Sequence, residues 1–342
     1  MISSLQLSSV DEGLEERMAE QRFYETINDL SGMHGNNFTV ALVGYPNSGK
    51  TSMFNLLCER DESVDESLYT TLDPNVGQRR NKDERLDWLC QVLKPPRVTQ
   101  QFTVFIDTPA LSGGAHIGNG LGDSVCEYVE GVTAIALVVR AFDDDDLTHI
   151  EESIDPCRDV KALDQELKVH DLQMIEDAIQ NGEKVKVPSR EVKHKLATLY
   201  KAWGVLNGED YGDPKERSKY RQKVRTQLAK GNKVFRSLGG LALRLARWEP
   251  READVLAELR LLTVKPLLFV PNLSARDYNR KDDYWSEQLL ACIDELGGGP
   301  LVRFSCTFEE RLNTLRLQGK LRKYMAANPT HITACDDLST SL

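Results

Sequence analysis

Hydrophobic positions along the chain follow two rhythms. Unbroken aliphatic and β-branched runs recur at "FTVALVG" from Phe38, "FTVFID" ending at Asp107, "TAIALVVRAF" over 133–142, "KPLLFVPNLS" from Lys265 and "LVRFSC" from Leu301. Such runs, apolar on both faces, predict five buried strands. After the first comes "TSMFNLL", whose Met53, Phe54, Leu56 and Leu57 have helical spacing. Buried strands separated by helical segments predict an α/β fold around a mostly parallel sheet. From about Asp155 to Leu261 the spacing is helical instead. Val160, Leu163, Leu167, Ile175 and Ile179 mark one helix, and Val192, Leu196, Leu199 and Trp203 the next. Val224, Leu228, Leu241 and Leu245 fall on later ones, with "GVLNGEDYGDPKE" as the tip between two antiparallel arms. The chain thus divides into a polar leader over 1–36 with helical potential, an α/β domain over 37–154 and 262–328, an inserted helical hairpin over 155–261, and a tail over 329–342.

Charge sharpens this division. The 342 residues carry a net charge of −10, but Lys184 to Arg251 holds 18 Lys and Arg against 6 Asp and Glu. That local excess of +12 leaves −22 for the rest. A single-sign block of this size reads as a surface for a polyanion or acidic partner, with RNA and the ribosome as candidates. No RNP-type aromatic pattern accompanies it, so sequence-specific RNA or DNA reading is not indicated. The run Asp143–Asp146 lacks the alternation and turn glycine of a calcium loop and reads as a solvated junction or a counterpart of the basic arms. Seven scattered cysteines, none in a C-x-x-C pair, suggest neither a disulfide framework nor a zinc site. With no signal-peptide pattern and no stretch of roughly 20 apolar residues, a cytoplasmic protein without a membrane span is expected.

The chemistry begins at "GYPNSGKT", which fits G-x-x-x-x-G-K-[ST] between a predicted strand and a predicted helix. A glycine-rich turn there directs several backbone N–H groups at one point, where the positive end of the helix also favours phosphate. Gly44 and Gly49 permit the tight path, and Lys50 reaches for the β- and γ-phosphates. The Thr51 hydroxyl suits Mg²⁺, while Ser48 and Ser52 flank these groups. A magnesium-dependent hydrolase needs two further pieces. Asp107 at a strand end offers the carboxylate. "YTTLDPN" offers Thr70 or Thr71 as the residue that senses the γ-phosphate.

GYPNSGKTS, TTLDPN, DTPAL, GGAHIGNGLGD, RAFDDDDLTHIEESIDP and NLSARDY occur in the order found in the Obg-like ATPases (the YchF group), which this chain resembles from about Phe38 to Asn328. The resemblance implies a Ras-like P-loop NTPase, an OBG-type G domain, with an inserted coiled coil. Relatives usually end in a TGS domain, for which the sequence to Leu342 has no room. By motif, Thr71 becomes the switch threonine of the Mg²⁺ shell and Asp107 a metal partner that acts from behind the inner ligands or through a bridging water. His116 becomes the residue that positions the attacking water, and Asn47 matches an asparagine that helps hold K⁺ in related cation-dependent G proteins. The family's links to ribosomes and translation agree with the basic insertion.

Two departures bear on the reaction. In Ras-like enzymes a Gln just after D-x-x-G orients the water, and here that position is Leu111. Ala110 replaces the hinge glycine. Both predict slow hydrolysis, with a non-hydrolysing adaptor as the rival. For the base, "NLSA" stands where guanine-specific proteins carry N-K-x-D, and Ala275 supplies no carboxylate for guanine N1–H and N2–H₂. Asn272 is expected to pair with adenine N6 and N7, Leu273 to offer backbone groups, and Ser305 to lie near the base. ATP is therefore favoured over GTP.

Overall fold

The computed structural model describes residues 38–59, 74–81, 84–98, 101–111, 123–144, 147, 153–208, 240–280, 284–327 and 333–335. The leader 1–36, Thr70, Thr71, His116, Asp145, Asp146, Val224, Leu228 and most of the tail lie outside them.

Five strands form one sheet in the order β2-β3-β1-β4-β5. They are β1 (Phe38–Val43), β2 (Asn75–Arg80), β3 (Phe102–Asp107), β4 (Ala134–Ala141) and β5 (Leu267–Leu273). All pairings are parallel except β2 with β3. Every residue of β4 and β5 is buried, which is why these strands read as continuous apolar runs rather than alternating ones. β2, "NVGQRR", is a polar edge strand with no such signature. The expected fifth apolar strand from Leu301 is reduced to two isolated parallel bridges, Phe269 to Leu301 and Asn272 to Phe304. Its extended stretch is short because Ser305 already caps the next helix.

The helices described in this α/β part are α1 (Lys50–Cys58), α2 (Glu84–Leu93), α3 (Asp123–Glu130), the first part of α4 (Pro156–Glu183), α7 (Ala275–Tyr278), α8 (Tyr284–Glu295), α9 (Cys306–Leu317) and α10 (Leu321–Ala327). Val40, Leu42, Met53, Phe54, Phe105, Val138, Val270 and Phe304 form its core, joined by Ala334 and Cys335. The Ala334 N–H donates to Glu309 at 2.6 Å. Register decides where the chemistry sits: Leu42 lies beside Asp107, and Arg140 beside Asn272. The carboxyl ends of β1, β3, β4 and β5 therefore share one edge of the sheet, the usual location of ligand sites in such folds.

The described residues of Asp171–Lys265 make a second compact unit, apart from that of Gly35–His170 and Pro266–Leu342. It contains the end of α4, α5 (Arg190–Asn207) and α6 (Pro250–Glu258). Leu172, Ile175, Ile179, Leu199, Trp203 and Leu256 are central to its core. Trp203 Nε1 donates to Glu176 at 3.0 Å and the Tyr200 hydroxyl to Glu183, so α4 and α5 run antiparallel. The hairpin turns at 184–189, where Ser189 caps α5 by accepting from the Val192 N–H. Gly204–Asn207, expected in the tip, form the last turn of α5 instead and Gly208 caps it; residues 209–216 of that proposed tip lie outside the described residues. Leu241 and Leu245 are not on α-helices. Leu241 is exposed and Leu245 ends a 3₁₀ turn over Leu243–Leu245. The backbone here runs against α5, with the Leu241 N–H donating to Val205 O at 3.0 Å, and a Cβ on Gly240 would meet Leu206 O at 2.1 Å. Asp171 gathers the other end of the unit, accepting from Leu262 N, Thr263 N and Thr263 Oγ1 at 2.8, 2.7 and 2.5 Å.

Candidate nucleotide-binding site

The turn between β1 and α1 is shaped by contacts that admit no larger residues. A Cβ on Gly44 would approach Val138 O to 2.2 Å. Gly49 has φ 93°, and a Cβ there would lie 2.3 Å from Asn272 Nδ2. Both glycines are thus needed for close approach, and Gly49 also for its left-handed backbone. Asn47 adopts φ 58° in the same turn, a region that asparagine tolerates better than most residues. Lys50 is buried and donates from Nζ to Gly44 O and Tyr45 O, both at 2.9 Å. Burial lowers its pKa to about 8 despite the opposing pull of Asp107.

Thr51, at the start of α1, donates from Oγ1 to Asp107 Oδ2 at 2.8 Å. Thr108 fixes the chain after Asp107 by donating to Leu42 O at 2.7 Å. The hydroxyl and carboxylate expected to serve Mg²⁺ are therefore brought together. This donor set fits the ion, which keeps several waters and takes one or two protein oxygens together with substrate phosphates. Leu111 is buried and its N–H donates to Gly44 O at 3.3 Å, so the chain after D-T-P-A lies on the phosphate turn. Ser52 is half-buried on α1, and the Ser48 hydroxyl is buried without a hydrogen-bond partner.

The groups expected to read the base lie around the loop before α9. Asn272 is buried; its Nδ2 donates to Ser48 O and its Oδ1 accepts from Cys306 N, both at 3.1 Å. Asn272 thus braces the phosphate turn against the loop before α9 with one amide hydrogen and one lone pair, and keeps a second of each. The Leu273 N–H donates to Phe304 O at 2.7 Å and is likewise engaged. Ser305 is fully buried and caps α9, its Oγ accepting from the Phe308 N–H at 3.4 Å. The thiol of Cys306, in the same loop, donates to Gly49 O at 3.7 Å and is pushed upward in pKa by burial. Ser274 caps α7, its Oγ accepting from the Asp277 N–H at 3.1 Å and donating to Asp277 Oδ2 at 2.7 Å, a cap that the S-x-x-D spacing could have revealed.

Beneath the acidic run, Arg140 is buried and donates to the carbonyls of Phe142, Leu147 and Asp144 at 3.1, 3.0 and 3.0 Å. The described part of this junction is a turn gripped from within, with Asp143 and Asp144 exposed.

Known proteins resemble this chain over most of its length. Residues 39–176 match the family described as "50S ribosome-binding GTPase". Obg-like ATPase 1 of Oryza sativa subsp. indica is 30% identical over 299 residues, which is 87% of this chain and 68% of the relative. The Homo sapiens protein of that name is 32% identical over 304 residues, 88% of this chain and 69% of its own length. The chain belongs to the Obg-like ATPases. A solved relative, the Schizosaccharomyces pombe YchF GTPase, is 26% identical with a TM-score of 0.65, covering 90% of this chain and 75% of that one. The Obg-like ATPases are nucleotide-binding P-loop proteins, and this chain has their Ras-like domain. Among the described residues, no helix of this Obg-like chain is long and apolar enough to cross a membrane.

Proposed function

We propose that this protein binds a purine nucleoside triphosphate with Mg²⁺, hydrolyses it slowly, and uses the cycle as a switch toward a polyanionic partner. The observation that carries this reading is the conjunction of buried Lys50 with the Thr51–Asp107 pair at one edge of the sheet. When bound, Mg²⁺ would neutralise charge on the triphosphate, held through Thr51, Asp107 and, from the resemblance, Thr71. Gly44 to Ser52 would hold the phosphates through backbone N–H groups, and Lys50 would exchange its two carbonyl partners for phosphate oxygens. Asn272 keeps the turn in place, and His116 is assigned to orienting the water. Asn47 is the group proposed to favour K⁺.

The expected domains, 37–154 with 262–328 for catalysis and 155–261 for partner binding, belong to this reading. So do a coiled-coil role for the insertion, the ribosome or RNA as partner, and a cytoplasmic site of action. The names of the relatives support NTP hydrolysis and leave both ATP and GTP open. The preference for ATP expected from Ala275 and Asn272 belongs to this reading.

A second reading, a non-hydrolysing adaptor, is favoured by one feature: buried Leu111 stands where the water-orienting Gln is found. Phosphate release from Mg-ATP and Mg-GTP, with and without K⁺, separates the two. Hydrolysis that falls to background in Lys50→Ala and drops in His116→Ala supports the switch. Wild type releasing no more phosphate than Lys50→Ala in every condition supports the adaptor.

A further inference from the structure

We infer that Cys157 and Cys292 form a redox modification site, a dithiol that a low-molecular-weight disulfide converts into an intramolecular disulfide clamping α4 to α8. The sequence gives no sign of it, since the two residues stand 135 positions apart among seven scattered cysteines.

The fold brings them together. Cys292 Sγ donates to Cys157 O at 3.6 Å, and the two thiols also lie within hydrogen-bonding reach of each other. The backbone at Cys157 is fixed by a cap: Asp155 Oδ1 accepts from Cys157 N at 3.1 Å and from Arg158 N at 3.0 Å. Arg158 in turn donates to the Ser153 hydroxyl and carbonyl at 2.7 and 2.8 Å. One helical turn further along both helices, Lys161 Nζ donates to Glu295 Oε2 at 2.7 Å. Two contacts a turn apart keep α4 and α8 side by side. Joining the sulfurs therefore takes rotation about χ1 rather than movement of either helix.

Access sets the order of events. Cys157 is half-buried and Cys292 is only 4% exposed, so an external reagent meets Cys157 first. Its thiolate attacks one sulfur of the small disulfide. A mixed disulfide forms and one small thiol leaves, taking up the proton that Cys157 gave up. The Cys292 thiolate then attacks Cys157 Sγ, and the second small thiol leaves with the Cys292 proton. Two protein thiols are oxidised and one small disulfide is reduced. Burial raises the pKa of both thiols, that of Cys292 to about 11, with Asp155 adding to the rise at Cys157. Scarce thiolate slows formation, and two poor leaving groups slow reduction, so the clamp forms slowly and persists once made.

The test is incubation of the full chain with oxidised glutathione, alkylation of the remaining thiols, and peptide mapping without reduction. A peptide linked through Cys157 and Cys292 should be the main product of these two residues. The melting temperature should rise by about 5 °C or more and return on adding dithiothreitol. Cys157→Ser and Cys292→Ser should each abolish the rise. Glutathione retained on Cys157 beside an alkylated Cys292 overturns the inference, as does a rise that persists in both variants. A linked peptide with no rise overturns the clamp. The peptide map needs only the wild-type chain, so it decides the matter even if Cys292→Ser does not fold.

Discussion

Thr51 and Asp107 meet at 2.8 Å although 56 residues separate them in sequence. The contact joins the start of α1 to the end of β3. It places a hydroxyl and a carboxylate within reach of one ion, beside a lysine already turned toward the phosphate turn. Asp107→Asn keeps the shape of the side chain but removes its charge. It should weaken Mg²⁺-dependent triphosphate binding by about tenfold or more, while Mg²⁺-independent binding changes little. Titration of nucleotide with and without Mg²⁺ checks this. Equal losses in the two conditions would remove Asp107 from the metal shell.

Lys50 carries a pH dependence whose direction follows from its burial. Its pKa of about 8 in the free protein means that it loses its charge as pH rises through that value. Phosphate binding favours the charged form, so affinity should be flat below pH 8 and decline above it, by about tenfold per pH unit at most. Binding near pH 8 should also take up protons, which calorimetry in buffers of different ionisation enthalpy detects. Lys50→Arg should flatten the profile even if it weakens binding. The stability term has the opposite sense: the unfolded chain holds this proton up to the usual 10.5, so Lys50 makes folding more favourable as pH rises from 8 to 10.5.

Glu166 lies buried on α4, and its Oε2 has no hydrogen-bond partner. Desolvation raises its pKa to about 7. The folded protein therefore keeps a proton between pH 4.5 and 7 that the unfolded chain has released. This contribution to stability is complete below 4.5 and lost as pH rises through 7. Glu166→Gln should remove that slope and raise the melting temperature at about pH 8 relative to wild type. An unaltered slope would mean that Glu166 ionises normally.

Gly49→Ala tests the brace. The substitution strains a residue at φ 93° and drives a methyl group into Asn272. It should cost about 1–3 kcal/mol in denaturant unfolding and sharply reduce nucleotide binding. Asn272→Ala, which removes the bonds to Ser48 and Cys306, should reproduce part of the binding loss. A Gly49→Ala protein with wild-type affinity would show that the brace does not hold the turn.

The basic insertion divides into paired and unpaired charges. Lys195 and Lys201 pair with Glu258 and Glu252 at 2.5 and 2.6 Å, whereas Lys186 and Arg190 are exposed at the hairpin turn. If RNA or ribosome binding runs through this surface, neutralising Lys186 and Arg190 together should lower affinity. It should also reduce the slope of log K against log salt by about 0.7–0.9 for each phosphate that is no longer neutralised. Lys195→Ala should leave that slope unchanged. A complex insensitive to salt would reject the electrostatic account.

Much of this protein follows from sequence alone. The strands at Phe38, Phe102, Ala134 and Leu267 are legible because strands covered on both faces must be apolar throughout. The phosphate turn is legible because its glycines, lysine and threonine recur at one fixed spacing within eight residues. The partners of Asn272 are not legible. Its side chain bonds to residues 224 and 34 positions away, and no local pattern encodes which acceptor a buried amide will meet. Tertiary packing also decided the polar edge strand β2, the place where the hairpin turns, and the clasp of Asp171 on Leu262 and Thr263. Hydrophobic periodicity and turn chemistry are properties of neighbouring residues, whereas a buried polar group takes its role from whatever the fold brings beside it.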